Sequence, residues 1–248
     1  MGAPSVRTPA KDEEPPTGAR VVAVDGLSGA GKSTVSRALA QRLRWRYLDT
    51  GACYRALTVA ALDAALVEVG AEHPPAEGLD ALAAAALETL ELSLDPRLSQ
   101  VRLGGLDVTE RIRDEATTRT VSAVSADPHL RARAVTWQRA RVRCAGACVV
   151  EGRDIGTVVL PRAALKVWLC ADPAERADRR AAEQRAETRN TVGSDLARRD
   201  RLDGERATAP AVAAADAVRI DTTSLSIAQV VDRLAGLAAE RGLTGADA

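Results

Sequence analysis

Phenylalanine is missing from this chain, and its 248 residues include only two tyrosines and three tryptophans. A core of stacked aromatic rings is therefore excluded, and the interior must be built from alanine, valine and leucine. There are two histidines, His73 and His129, and four cysteines, Cys53, Cys144, Cys148 and Cys170, with no C-x-x-C pair. That set argues against a zinc site and against a disulfide framework, so the thiols are read as reduced and mostly buried. No apolar run reaches the length of a membrane span, and no charged-apolar-small leader opens the chain. A cytoplasmic protein with no membrane partner is expected. Neither charge dominates: 34 basic residues face 34 acidic ones. Net charge therefore gives no sign of a nucleic-acid surface, and no nucleic-acid partner is expected.

What is present is concentrated in one stretch. Val21-Val22-Ala23-Val24 reads as a buried strand. Gly26-x-x-x-x-Gly31-Lys32-Ser33 follows, the spacing of a phosphate-binding loop. Val35, Leu39 and Leu43 then recur at helical spacing. A polyphosphate packs several negative charges into a small volume. Glycines at 26, 29 and 31 let backbone N–H groups turn inward toward its oxygens. The loop ends at a helix N-terminus, which favours an anion. Gly26, Ser28, Gly29, Ala30, Gly31, Lys32, Ser33 and Thr34 are the expected nucleoside-triphosphate-binding residues, and the loop alone does not say which reaction follows. Lys32 brings a point charge to the terminal phosphates, and the Ser33 hydroxyl is placed to ligate Mg²⁺.

The rest of the chain alternates. Residues 1–19 hold four prolines and are read as a disordered tail before a domain spanning 20–248. Helices are predicted over about 32–44, 52–69, 79–90, 109–126, 128–143, 173–185, 194–206 and 226–240. Strands are predicted at 45–48, 148–151, 165–170 and 217–220, with Asp49-Thr50-Gly51 closing the first of these. Between residues 90 and 108, period-two patterning and Gly104-Gly105 suggest a small antiparallel patch inside an insertion. Strand–helix alternation at both ends argues for an α/β fold, a parallel sheet covered by helices on both faces.

Three further stretches concentrate charge: 49–55, Glu151-Gly152-Arg153-Asp154, and 199–206. The first two follow strands directly, so they fall on the same sheet edge as the glycine loop, where ligands bind in open α/β sheets. Arginine meets phosphate with paired hydrogen bonds, as a second phosphorylated substrate would require. Arg176, Arg179 and Arg180 read equally well as a solvated helix face. No nucleophile with a base partner is evident, which fits phosphoryl transfer, where positioning and charge neutralisation do most of the work.

Taken together, these stretches resemble the bacterial cytidylate kinase family. The resemblance is carried by Asp25-Gly26-x-Ser28-Gly29-Ala30-Gly31-Lys32-Ser33-Thr34, Tyr47-Leu48-Asp49-Thr50-Gly51-Ala52-x-Tyr54-Arg55, Asp107-Val108-Thr109, Val121-Ser122-x-Val124-Ser125, Glu151 to Val159, and Arg199-Asp200-x-x-Asp203-x-x-Arg206-x-x-x-Pro210. It implies a P-loop kinase core, an α+β monophosphate-binding insertion over about 50–147 and a short lid over about 176–200. The implied reaction moves the γ-phosphoryl group of ATP to CMP or dCMP with Mg²⁺, in a monomer. It also implies roles: Thr50, Arg55 and Arg153 for the acceptor phosphate, Asp154, Arg199 and Asp203 around the ribose, and Ser122, Arg131 and Arg206 for cytosine or the neighbouring phosphate. Lys32, Arg153 and the lid arginines Arg176 and Arg180 would serve the transfer itself. Leu27 stands where the family usually has proline, Cys53 where it has a larger apolar residue, and Gly204 where serine is common. Two rivals are a related kinase acting on UMP, dTMP or another small acceptor, and a nucleotide-binding regulator. A guanine-reading Asn-Lys-x-Asp segment, which a GTP switch needs, is absent.

Overall fold

Five strands form one parallel sheet in the order β2-β6-β1-β7-β8, in a computed structural model that describes residues 20–75, 77–184, 197–198, 200–201 and 211–244. The strands are β1 (Val21–Gly26), β2 (Arg46–Asp49), β6 (Cys148–Gly152), β7 (Leu165–Cys170) and β8 (Val218–Asp221). β1 lies at the centre, with Val22 beside Val149 on one side and beside Leu165 on the other. A strand paired on both sides and covered by packed elements is apolar along its length. All six residues of β1 are accordingly buried. One face of the sheet packs against α1 (Lys32–Leu43) and α7 (Ile227–Glu240), with Val35, Leu39, Val230 and Leu234 filling in over Val22, Val24, Val149 and Val167. No phenylalanine is needed, because short branched side chains close this layer.

The described residues divide into two compact units. One holds 20–49, 94–97 and the described residues from 145 onward, and contains the sheet. The other holds 50–93 and 98–144. In the second unit α2 (Thr50–Asp63), α3 (Leu79–Thr89), α4 (Glu115–Val124) and α5 (Pro128–Ala145) accompany an antiparallel sheet of β3 (Glu91–Leu92), β4 (Val101–Leu103) and β5 (Leu106–Asp107). Leu57, Leu79, Leu90, Val101, Ile112 and Leu130 centre its own apolar cluster.

Several element boundaries differ from the predicted ones, each for a local reason. α2 begins at Thr50, with no loop after β2, and stops at Asp63 rather than near Val69. Ala65 takes a left-handed φ of 52°, and Leu66 N–H bonds back to the Ala61 carbonyl at 3.0 Å, closing the helix without a glycine. The helix expected over 109–126 is broken at Asp114, whose carboxylate caps α4 by accepting from Thr117 N–H at 2.7 Å. A π turn, Ile155–Val159, follows β6 and has no counterpart in the sequence reading. Cys144 is exposed, whereas Cys53 and Cys148 are buried, and all four thiols are free. The tail 1–19, lid residues 185–196, and the site residues Arg199, Asp203 and Arg206 lie outside the described residues. Among the described residues no helix is long and apolar enough to cross a membrane.

Candidate active site

The sheet unit builds a glycine-lined cradle at the carboxyl end of β1. Gly26, Gly29 and Gly31 have φ of 151°, 78° and 83°. At Gly26 a Cβ would stand 2.2 Å from the Leu169 carbonyl oxygen, and at Gly29 2.6 Å from that of Arg176, so neither position admits a side chain. Gly31 caps α1 with no side-chain acceptor, and no acidic residue stands in its first turn. The first amides of α1 are left facing the loop, as an anion site requires. Lys32 Nζ reaches back across the loop to the Leu27 carbonyl at 2.8 Å. Ser33 and Thr34 are exposed.

Two buried carboxylates stand beside the cradle. Glu151, the penultimate residue of β6, is 2 % exposed and accepts a 2.5 Å bond from the Tyr47 hydroxyl. Burial, then the charge of Asp49, pushes its carboxyl up to about 7, against the pull of Lys32 and of bonds from Tyr47 and Ser33. The Arg37 guanidinium sits over the Tyr47 ring at 4.4 Å. Burial likewise raises Asp25 to about 6, although Gly156 and Ile155 N–H groups donate to it. Asp25 stands at the end of β1 itself, and Glu151 reaches the loop through strand order, because β6 flanks β1.

The arginines divide by what they hold. Arg153 Nη1 donates to the Gly26 carbonyl at 3.0 Å, and Asp154 is buried beside it in sequence. On α6 (Pro173–Gln184), Arg176 is buried and donates to the Ser28 carbonyl at 3.1 Å and to Asp200 at 2.6 Å. Arg176 is thus anchored on the phosphate loop itself. Arg179 bonds Glu175 and both the hydroxyl and carbonyl of Thr222, and its Nη1 lies 3.8 Å from where a Gly31 Cβ would stand. Arg180 is half-buried one helical turn beyond Arg176.

In the other unit, Thr50 opens α2 and is buried. Arg55 Nη1 donates to the Ile112 carbonyl at 2.7 Å and to the Thr118 hydroxyl at 3.0 Å. Arg131 is 5 % exposed, donates to the Ser125 carbonyl at 3.2 Å and lies over the Tyr54 ring at 5.2 Å. Thr118, Ser122 and Ser125 fall on successive turns of α4 and its cap. Arg55, Ser122 and Arg131 are therefore brought to one polar face, Arg55 bonding at one end and Arg131 at the other.

Sequence reasoning assigned no role to Glu151, Tyr47, Asp25, Arg179 or Thr222. All but Thr222 stand in or near a stretch already singled out for its glycines or arginines. A carboxylate ending a strand of buried residues was the available signal for Asp25 and Glu151. Among the described residues no group of three His, Cys, Asp or Glu side chains is placed to hold a metal alone. Mg²⁺ does not ask for one: it keeps waters and substrate phosphates around one or two protein oxygens. The exposed Ser33 hydroxyl, close enough to the Glu151 carboxyl to hold its pKa down, fits that demand.

A family model described as cytidylate kinase matches residues 22–240. The Corynebacterium glutamicum protein named cytidylate kinase is 45 % identical over 223 residues, covering 88 % of this chain and 94 % of that one. The Rhodococcus opacus cytidylate kinase is 47 % identical over 235 residues, covering 92 % and 99 %. The Geobacillus kaustophilus cytidylate kinase is 45 % identical over 225 residues, covering 89 % and 96 %.

Proposed function

The chain belongs to the cytidylate kinase family, and on that premise we propose that it transfers the γ-phosphoryl group of ATP to CMP or dCMP by in-line displacement. Its substrates are small nucleotides, ATP among them. The phosphate-loop amides and Lys32 hold the donor phosphates. Gly26, Ser28, Gly29, Ala30, Gly31, Ser33 and Thr34 complete that grip, with their backbone rather than side chains closest to the oxygens. Ser33, with Glu151 behind it, is where Mg²⁺ would be held, and when bound the ion neutralises charge on the phosphate oxygens.

On the acceptor side, Thr50, Arg55 and Arg153 bind the monophosphate. Asp154, with Arg199 and Asp203, takes the ribose. Ser122, Arg131 and Arg206 read cytosine or the phosphate next to it. A buried arginine and a hydroxyl on one polar face suit a base that offers both acceptors and an exocyclic amine. A site built to bond that amine rejects an analogue lacking it by about 10⁴. The acceptor phosphate is already ionised near neutral pH, so no general base is required. Arg176 and Arg180 supply positive charge to the transferring group, Arg176 from its seat on the phosphate loop.

The observation that carries this reading is the strand–loop–helix cradle with its uncapped helix start and Lys32, in a chain of this family. The test is ADP release with ATP and Mg²⁺, offering CMP, dCMP, UMP, AMP, GMP and dTMP separately. Turnover with CMP and dCMP well above the rest is expected. Turnover centred on another acceptor, or hydrolysis that no acceptor stimulates, would overturn the substrate assignment.

A further inference from the structure

We propose that Asp25 is a positioning residue for the acceptor nucleotide, holding the Arg153–Asp154 turn from the strand that carries the phosphate loop. The inference rests on the reading that Arg153 and Asp154 bind the acceptor. Asp25 is 3 % exposed and belongs to β1. Its Oδ1 accepts from Ile155 N–H at 2.8 Å and its Oδ2 from Gly156 N–H at 2.7 Å. Those amides open the π turn that begins directly after Arg153 and Asp154. In the other direction Arg153 Nη1 donates to the carbonyl of Gly26, the residue after Asp25, at 3.0 Å. Three hydrogen bonds thus tie the last two residues of β1, at the entry to the phosphate loop, to the four-residue run 153–156.

The chemistry of the side chain is specific to this job. Only a carboxylate presents an accepting oxygen to each of two neighbouring amides; an amide side chain has one acceptor and would meet the second N–H with another donor. The site is also closely fitted: a Cβ on Gly156 would lie 3.4 Å from Asp25 Oδ2 and 3.1 Å from the Lys166 stem. An ionised carboxyl with so little water is unfavourable for stability. Burial pushes its pKa up to about 6, and the charge of Asp154 adds to the rise, while Lys32 opposes it. Stability alone would favour an uncharged residue here, so its two-acceptor geometry is the property the site uses.

Asp25→Asn keeps the shape and removes one acceptor. We expect kcat/KM for CMP to fall by about 10²-fold through misplacement of the turn. The KM for ATP should stay within about twofold, and thermal stability near neutral pH should change little, because relief of the buried charge offsets the N–H left facing a donor. Equal movement of both Michaelis constants with a lowered Tm would show a merely structural residue and overturn the proposal. Unchanged constants would overturn it as well. Should the Asn variant not fold, Asp25→Ser, smaller and still an acceptor, is measured against the same outcomes. Arg153→Ala separates this inference from the reading beneath it. If Arg153→Ala leaves the CMP constants untouched, the acceptor assignment fails. If it weakens CMP use and Asp25→Asn does not, only the present inference fails. The double variant should lose less than the two single losses combined, since one residue acts through the other; strictly additive losses would refute that route.

Discussion

Glu151→Gln tests whether the carboxylate beside the phosphate loop is as dry as its surroundings imply. Burial raises this carboxyl from 4.5 to about 7. At about 1.4 kcal/mol per pH unit, that is about 3 kcal/mol of linkage. The sign follows from proton counts. Between the two values the folded protein keeps a proton that the unfolded chain has lost, so stability falls as pH rises. The contribution is present in full below about 4.5 and is lost as pH climbs through about 7. Glutamine cannot ionise, yet its amide oxygen still accepts from the Tyr47 hydroxyl. The variant should therefore gain on the wild type by about 3 kcal/mol between about pH 4.5 and pH 8. Urea unfolding of both proteins, free of nucleotide and Mg²⁺ and at constant ionic strength, reads this difference directly. A difference that stays flat across the range, or one that favours the wild type at high pH, would refute the reasoning.

Lys32→Ala should lower kcat by at least about 10²-fold, the usual loss for one preorganised charge contact, with Tm unchanged; near-normal turnover would remove Lys32 from the site. Gly29→Ala forces a left-handed φ of 78° on a β-carbon that would stand 2.6 Å from the Arg176 carbonyl. The conformation alone costs about 1–2 kcal/mol, so urea unfolding should show at least that loss, together with a higher KM for ATP. Wild-type values for both would mean that α6 does not lie on the loop. Ser226 and Gln229 form a capping box on α7, so Ser226→Ala should cost about 1 kcal/mol in unfolding experiments and leave kinetics alone.

Much of the site was legible because its signals are local. Gly26, Gly29 and Gly31 are needed for φ values that other residues avoid, and a run of short branched residues before them reads as a buried strand. Arg153, flanked by Gly152 and Asp154 at the end of a strand of buried residues, stood out for the same reason. Arg176 and Arg180 could not be ranked from sequence, since an arginine's partners are set by what packs beside its helix. Only the fold shows that Arg176 grips the Ser28 carbonyl and that the neighbouring Arg179 is held by Thr222. The end of α2 was hidden differently: Ala65 stops it in a left-handed conformation that alanine seldom takes, so no composition cue marked it.

By itself the chain sequence determined the phosphate loop, the apolar strands around it, the absence of an aromatic core, and a family resemblance strong enough to name a reaction class. Those follow from backbone preference, periodicity and short-range spacing, all of which act within a few residues. Tertiary structure decided that β6 borders β1, and therefore that Glu151 stands beside the loop and that Asp25 meets the turn after β6. Tyr47 meets Glu151 across 104 residues of chain, and Asp25 meets Ile155 across 130. Burial and hydrogen bonding at such separations depend on strand order and packing, and they turn two ordinary acidic residues into groups with raised pKa values and fixed partners.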